Sequence, residues 1–288
     1  MGAAMIVWRS FIDSPDAMYW DQSMIADLLV GIDYPEILVT PGHWREGSKI
    51  NDFLDKPTLV MITSDEEGEC PFWEVDYPVW KMTPDLSLAY RPDRAVPLGY
   101  TPHTRPALFE LGMPSKVSTK GSWFFAGQVT NSRRDSAMEA LRKAPYGELI
   151  ETESFTAGVS TTDYMKKMWE ASWVPCPAGN VRPATFRMWE ALEAGAVPIL
   201  DATSPAGDQG YWPFVLGDHP FTVLADWSQV GEVMSGKVPL VGPWYSAFKA
   251  KFKRDIWDAW RSIASEPKLA PIKRITTIVT ASPIPSHP

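Results

Sequence analysis

Short apolar runs alternate with segments of helical period along most of the chain, a pattern typical of βα units around parallel sheets. In the first part of the chain, strands are predicted at 6–8, 36–39, 58–63 and 96–100, and helices at 17–30 and 47–54. The run 58–63 is apolar enough to predict a strand buried on both faces. The segment 64–95 is rich in Pro and Asp, which predicts irregular structure.

A stretch of linker character, residues 101–121, separates this part from a second alternation, because it combines prolines and polar residues with no clear period. The second alternation predicts strands at 123–126, 148–151, 173–176, 196–200 and 221–224, and helices at 132–143, 161–171, 185–194, 226–234 and 243–265. In the last helix, one buried face is predicted by apolar residues spaced three and four apart: Phe248, Phe252, Ile256, Trp260 and Ile263. The tail 266–288 has prolines and little period, which favours a strap or a disordered end.

Length and composition favour a folded protein of two domains. Of the 288 residues, 45% are hydrophobic and 22% charged, which excludes the disordered and collagen-like classes. We expect domains at 1–115 and 116–242, followed by a crossing helix and tail at 243–288. The net charge of −8 argues against a general polyanion-binding surface, although a local basic site is compatible with it.

Cysteine and histidine usage bears on compartment and metal content. Cys70 and Cys176 are too few for a disulfide framework, which favours a reducing compartment. The four histidines are scattered, at 43, 103, 219 and 287, and their spacing predicts no catalytic metal. No run approaches the ~20 apolar residues that span a bilayer, and no signal-peptide core is present. We therefore expect a soluble, unanchored, cytoplasmic protein.

The loop 127–134 follows a predicted strand and opens a predicted helix, where parallel sheets often bind anions. Asn131 or Ser132 is the candidate helix cap. Exposed amides, the positive helix end and the forked donors of Arg133 and Arg134 would suit a phosphate. The plainer alternative is that both arginines are only solvated.

A second loop, from Pro175 onward, joins a short strand to a helix and then to a buried strand. Thr185 can cap this helix, and Arg187 and Glu190, three residues apart, lie on one face of its first turns. The pair is open to two interpretations. It is either a surface ion pair that contributes little to stability, or a donor fork for a diphosphate beside a carboxylate that accepts ribose hydroxyls.

Several separated motifs occur in one order along the chain. They are a serine before a short strand, the Pro-x-Gly turn ending at Gly179, Thr-Phe-Arg-x-x-Glu-Ala-Leu from Thr185, a Val-Pro after Gly195, and a later Trp-Pro-Phe. Phe-Ala-Gly at 125–127 precedes the two arginines, and the first half carries Thr-Ser-Asp-Glu-Glu at 63–67 and Val-Pro-Leu-Gly-Tyr at 96–100. In these motifs, dense over 120–214 and sparse elsewhere, the chain resembles exostosin-type glycosyltransferases.

The resemblance implies a GT-B fold: two Rossmann-like domains facing across a cleft, with a long C-terminal helix crossing back. A nucleotide-sugar donor, expected to be a UDP-sugar, would bind the second domain, and the acceptor the first. In similar enzymes the Arg of Arg-x-x-Glu neutralises the donor diphosphate and the Glu contacts the nucleoside, which gives these roles to Arg187 and Glu190. Gly127 with Arg133 or Arg134 would form the phosphate loop. The expected donor set also contains Asn131, Gly179 and Thr185.

The implied reaction displaces a nucleoside diphosphate from the anomeric carbon by an acceptor hydroxyl, with inversion. Without a metal, arginines and a helix end would stabilise the leaving group. A general base in the first domain would take the acceptor proton. Asp65 and Glu66 directly follow the strand 58–63 and are the predicted bases. A solvated acidic loop is the alternative, and Glu67, Asp13 and His43 are the other candidate bases.

We expect three departures from the family: a shorter chain, no anchor or stem, and the insertion 203–211 before Trp-Pro-Phe. These departures leave the acceptor open among a glycan, a small molecule and a hydroxylated base of modified DNA. Two other function classes stay open. One is a non-catalytic, two-lobed module that binds a nucleotide or carbohydrate, and the other is a nucleotide-sugar epimerase.

Overall fold

Two parallel sheets of five strands each, flanked by helices, organise the α/β fold. The computed structural model describes residues 7–8, 22–30, 37–41, 48–52, 54, 58–65, 70–84, 92–112, 122–154, 158–207 and 210–265. The strands are β1 (Val7–Trp8), β2 (Ile37–Pro41), β3 (Leu59–Thr63), β4 (Val79–Met82), β5 (Arg94–Val96), β6 (Trp123–Gly127), β7 (Gly147–Glu151), β8 (Trp173–Cys176), β9 (Val197–Asp201) and β10 (Val223–Leu224). The helices are α1 (Ser23–Leu29), α2 (Ser48–Asn51), α3 (Thr104–Glu110), α4 (Ser132–Leu141), α5 (Thr161–Glu170), α6 (Phe186–Glu193), α7 (Tyr211–Leu216), α8 (Val230–Ser235) and α9 (Gly242–Ser265). Two 3-10 turns add Phe72–Glu74 and Trp227–Gln229.

The first sheet follows chain order, β1-β2-β3-β4-β5, with every neighbouring pair parallel. Its centre, β3, pairs with β2 over its whole length, from Leu59 opposite Ile37 to Thr63 opposite Pro41. All five residues of β3 are buried. This confirms the predicted strand with two covered faces, because a parallel strand between two others hides both sides from water.

The second sheet has the order β10-β9-β8-β6-β7, and its winding reverses between β6 and β8. The chain runs from β6 outward to β7, then returns to place β8 on the other side of β6. Parallel α/β sheets commonly bind ligands at the carboxyl ends of the strands on either side of such a reversal. The ends of β6 and β8 are therefore where a ligand is expected in this sheet.

The long helix α9 follows the second sheet in the chain but contacts elements of the first. Phe248, Phe252 and Ile256 are buried at four-residue spacing, while Trp260 and Ile263 are partly buried against the same core, which confirms the predicted apolar face. The Phe252 ring lies with its centroid 5.3 Å from that of Trp80 in β4. An Arg94–Asp255 ion pair and a hydrogen bond from Lys253 Nζ to the Val30 carbonyl at 3.4 Å add polar contacts.

The prediction of irregular structure for 64–95 is wrong at β4 and at the start of β5. The segment Val-Trp-Lys-Met of β4 is fully buried, although Lys81 interrupts its apolar run. The Lys81 ammonium lies 2.7 Å from the Asp65 carboxylate, so the charge is compensated inside the sheet. A lysine inside a buried strand breaks the pattern from which strands are predicted.

The predicted strand 96–100 ends instead at Val96. Pro97 has no N–H to donate to a ladder, and Gly99 adopts a positive φ of 78° that leaves the strand conformation. The prediction of a linker at 101–121 is also wrong where α3 forms. Residues 113–121 lie outside the described residues.

Two helices, α3 and α7, escaped prediction for a shared reason. Each carries proline as its third residue, Pro106 in α3 and Pro213 in α7. Proline is tolerated there because the first N–H groups of a helix have no internal partner, but in sequence it suggests a turn. Elsewhere the predicted helix 226–234 is divided into the turn Trp227–Gln229 and α8. Position 6, residues 17–21 and the tail 266–288 lie outside the described residues.

Candidate functional site

Two loops meet at the carboxyl edge of the second sheet, where the winding reverses. The first follows β6 and ends at Asn131, the cap of α4, whose side chain accepts the Arg134 backbone N–H at 3.0 Å. The Asn131 side-chain amide also donates to the carbonyls of Ala178 and Gly179, at 3.3 and 3.2 Å, in the loop after β8. Asn131 and Gly179, both predicted to bind the donor, therefore join the two loops to each other.

Arg187 lies in the first turn of α6, and its guanidinium reaches the end of β6. It donates from Nη2 to the Ala126 carbonyl at 2.6 Å, and its Cζ lies 4.1 Å from the centroid of the Phe125 ring. Only 9% of the residue is exposed, and Nε is buried with no hydrogen-bond partner. Among the described residues, no carboxylate lies within 4.0 Å of this guanidinium. Arg187 is thus a buried cation without a direct ion-pair partner among the described residues, although its charge reaches the Glu190 carboxyl and opposes the rise of that pKa.

Gly127, the last residue of β6, makes room for that guanidinium. A Cβ at this position would lie 2.6 Å from Arg187 Nη2 and 3.2 Å from the Phe125 ring. Contacts below 3.0 Å are not tolerated, so any side chain here would displace the arginine. The sequence singled out Gly127 for a phosphate loop, and its contact is with the arginine predicted to bind that phosphate.

Thr185 precedes α6 with extended backbone angles, yet its side chain makes no capping hydrogen bond. The residue is 8% exposed, and Oγ1 is buried with no partner in the described part of the chain. Its hydroxyl and Arg187 Nε are both unsatisfied at the beginning of the same helix. Because a helix N-terminus carries partial positive charge, this arrangement suits an anion that would accept both donors.

Arg133 has another partner than the predicted phosphate. It forms a two-pronged ion pair with Asp201, the last residue of β9, with Nε at 3.0 and 3.2 Å from the two carboxylate oxygens and Nη2 also in contact. Its Nη2 donates in addition to the Ala225 carbonyl at 3.0 Å. The Asp201 carboxylate is fully buried, so the fork of Arg133 is committed to that charge.

Arg134 bridges the same two loops that Asn131 joins. It donates from Nε to the Ala178 carbonyl at 3.0 Å and from Nη1 to the Gln128 carbonyl at 3.4 Å. Of the two predicted phosphate arginines, the structure therefore places one on a carboxylate and the other on backbone carbonyls.

Glu190 lies one turn after Arg187 and is enclosed by hydroxyl groups. Its Oε1 accepts Thr101 at 3.1 Å and Thr104 at 3.4 Å, while Oε2 accepts Tyr164 at 3.0 Å. Burial raises the pKa of this carboxyl, although the Tyr164 hydroxyl and the charge of Arg187 oppose the rise. Burial likewise raises the pKa of the neighbouring Cys176 thiol to about 12, so that thiol stays protonated and unreactive.

At the edge of the first sheet, Asp65 is buried in an ion pair. Lys81 Nζ approaches its Oδ2 to 2.7 Å, and the Cys70 backbone N–H donates to both carboxylate oxygens. Thr83 Oγ1 donates to the Asp65 carbonyl at 3.0 Å. This carboxylate is held inside the protein. Glu66 and the other candidate bases, Glu67, Asp13 and His43, lie outside the described residues.

Some residues that shape this site were not singled out from the sequence: Thr101, Thr104, Tyr164, Asp201 and Lys81. Asp201 carried a usable signal, because it is a charged residue that directly ends a buried apolar run. The threonines carried none, since they lie in a segment that resembled a linker and approach Glu190 only through the tertiary fold.

The described residues contain no group of three His, Cys, Asp or Glu side chains placed to hold a metal ion. In the same residues, no helix is both long and apolar enough to cross a membrane. The two cysteines are buried and unpaired with each other. The chain matches no model of a known protein family, and no curated protein shows significant similarity to it.

Proposed function

We propose that the protein is a glycosyltransferase of GT-B type that moves a sugar from a nucleoside-diphosphate donor, a UDP-sugar, to an acceptor hydroxyl. The observation that carries the proposal is the buried Arg187 guanidinium without a carboxylate partner among the described residues. Burying a charge without an ion-pair partner is unfavourable, and an anionic ligand at this position would offset that cost. The position at a reversal of sheet winding, and the likeness to exostosin-type motifs, support a nucleotide as that ligand.

In this proposal the donor diphosphate occupies the beginning of α6. Arg187 binds it with the two nitrogens that do not reach Ala126, and Thr185 donates its free hydroxyl. Charge develops on the bridging oxygen as the bond to the anomeric carbon breaks, and a preplaced cation and helix end stabilise that charge. The same groups that hold the donor thereby assist departure of the nucleoside diphosphate.

The acceptor, a glycan, a small molecule or a hydroxylated base of modified DNA, binds on the side of the first sheet. Inverting displacement requires a base for its hydroxyl proton. Asp65 is committed to Lys81, so the proposal retains Glu66, the other predicted base, for this step.

A second candidate function rests on that same ion pair. If Asp65 is structural and no neighbouring base replaces it, the chain is a module that binds a nucleotide or carbohydrate without turnover. The two functions share the diphosphate site and differ only in transfer. Slow hydrolysis of a nucleotide sugar without acceptor, lost in Glu66→Gln while binding persists, supports the transferase; binding without turnover for any acceptor supports the module.

Binding itself is tested by thermal unfolding with UDP, GDP and their glucose esters, using Arg187→Lys and Arg142→Lys. A ligand at 100 times its dissociation constant stabilises by about 2.7 kcal/mol. We expect the stabilisation to fall sharply in Arg187→Lys, because lysine keeps the charge but loses the fork. Arg142→Lys alters an exposed ion pair with Glu151 at the end of α4 and should leave binding unchanged. No stabilisation of the wild type by any nucleotide would refute the transferase and the nucleotide-binding form of the module.

A further inference from the structure

One carboxylate, Asp201, collects hydrogen bonds from the loops that follow four of the five strands of the second sheet. Arg133 comes from the helix after β6, and the backbone N–H groups of Ala178 and Thr203, at 3.2 and 3.4 Å, come from the loops after β8 and β9. The indole of Trp227, at 2.9 Å, comes from the segment after β10.

The bond to Ala178 has a particular consequence for the candidate site. With its N–H held by Asp201, the Ala178 carbonyl accepts the side chains of Asn131 and Arg134 at 3.3 and 3.0 Å. Both polar groups of this residue are therefore fixed, one by the buried carboxylate and one by the start of α4. The turn they fix runs through Gly179 towards Thr185 and Arg187.

We propose that Asp201, clamped by Arg133, is a positioning residue for the diphosphate site: it fixes the Ala178–Gly179 turn and through it the separation of the β6 and β8 loops. This inference rests on the proposed function for the identity of the ligand, but not for the structural effect. Asp201 is fully buried and its carboxylate oxygens accept hydrogen bonds from protein donors, so it acts through the groups that it holds. The Arg133–Asp201 pair thus has a role in nucleotide binding different from the direct contact predicted for Arg133.

The test uses Asp201→Asn, which keeps the shape of the side chain and removes its charge. We expect amide hydrogen exchange at Ala178 and Gly179 to accelerate at least tenfold, while exchange in β7 and α9 stays unchanged. We expect the dissociation constant for UDP, measured by calorimetry, to rise about tenfold, the lower end of the effect seen when outer-shell partners of metal ligands are removed. Arg133→Lys, which leaves Asp201 intact and keeps a positive charge, should give an intermediate loss.

Ile62→Ala is the matched control, since it removes buried volume from β3 and destabilises the protein far from this turn. If this variant weakens UDP binding as much as Asp201→Asn does at equal stability, Asp201 is merely structural and the inference is overturned. Unchanged exchange at Ala178 in Asp201→Asn also overturns it. If that exchange accelerates but the wild type binds no UDP, the positioning of the turn is supported and the proposed function fails instead. If Asp201→Asn does not fold, hydrogen exchange at Ala178 and the dissociation constant for UDP are measured in Arg133→Lys instead, and the same outcomes support or overturn the inference.

Discussion

The carboxyl edges of the two sheets differ in how their buried charges are paired. At the first edge, Lys81 and Asp65 neutralise each other at 2.7 Å, both almost fully buried. At the second edge, Arg133 and Asp201 form a comparable pair, but Arg187 contacts a carbonyl and a phenyl ring and has no ion-pair partner among the described residues. A closed pair is typical of a structural contact, whereas a buried cation without an ion-pair partner is a candidate position for an anionic ligand.

The two sheets also differ in how they are wound. The first sheet runs in chain order, whereas the winding of the second reverses between β6 and β8. Parallel α/β sheets commonly bind ligands at the carboxyl ends of the strands beside such a reversal. A ligand is therefore expected at the second sheet, where Asn131 and Arg134 join the loops after β6 and β8.

The largest effect is expected from breaking the closed pair of the first sheet. Asp65→Ala leaves Lys81 buried without its carboxylate, and we expect a loss of about 3–5 kcal/mol in the free energy of unfolding. Urea denaturation measures it. Asp65→Leu combined with Lys81→Met should recover most of the stability, because no charge then remains in the core. If Asp65→Ala is as stable as the wild type, Lys81 does not require its carboxylate partner, and the two sheet edges do not differ in this respect.

Removing the Arg187 charge should raise the free energy of unfolding, whereas removing Asp65 lowers it. Arg187→Met is expected to raise the free energy of unfolding of the ligand-free protein by about 1 kcal/mol, since an apolar side chain replaces a buried charge that has no direct ion-pair partner among the described residues. The same variant should lose the ~2.7 kcal/mol stabilisation by saturating UDP. Thermal and urea unfolding with and without UDP measure both quantities. Destabilisation of the ligand-free protein would mean that Arg187 is a structural group like Lys81.

A smaller change at the open site comes from its glycine. Gly127→Ala places a methyl group 2.6 Å from Arg187 Nη2, so the guanidinium must move. We expect UDP affinity to fall roughly tenfold, or about 1.4 kcal/mol, with less effect on folding because the flexible arginine can yield. Gly231→Ala is the control, since a Cβ there meets nothing within 4 Å. Calorimetric titration of both variants with UDP measures the affinities. Equal affinities of the two variants would show that Gly127 does not contribute to the UDP site.

The smallest effect concerns pH. Burial raises the folded-state pKa of Glu190 above its ordinary 4.5, so the stability that the protonated group contributes is present below that pH and is lost as pH rises through the folded-state pKa. The stability advantage of the wild type over Glu190→Gln should therefore shrink as pH increases from 4.5. Urea unfolding of both proteins across this range measures the difference. An advantage that grows with pH would require the pKa of Glu190 to be lowered in the folded state.

Much of the fold follows from local pattern. The strands β3, β8 and β9 and the helix α9 were predicted within a residue or two, because long apolar runs and a sustained helical period leave little choice of element. The failures have particular causes. Lys81 interrupts the apolar run of β4, so no strand was predicted there. The prolines near the start of α3 and α7 suggested turns, so neither helix was predicted.

The candidate site, like the fold, was predicted only in part. The loop 127–134 and the Arg187–Glu190 pair were each predicted to bind phosphate, and the structure brings Gly127, Thr185 and Arg187 to the end of β6 and the beginning of α6. The two arginines of α4 were chemically equivalent in sequence. Only the position of Asp201, far along the chain, committed Arg133 to a carboxylate, and only Ala178 gave Arg134 a carbonyl.

Local order in the chain was thus sufficient for which segments become strands and helices, and for which residue types stand near a helix start, since both depend on neighbours a few positions apart. Whether a buried charge is paired or open was decided by the tertiary structure alone. An ion pair joins residues such as Asp65 and Lys81, or Arg133 and Asp201, that are remote in sequence. Their distance is set by sheet order and winding, which no local pattern contains.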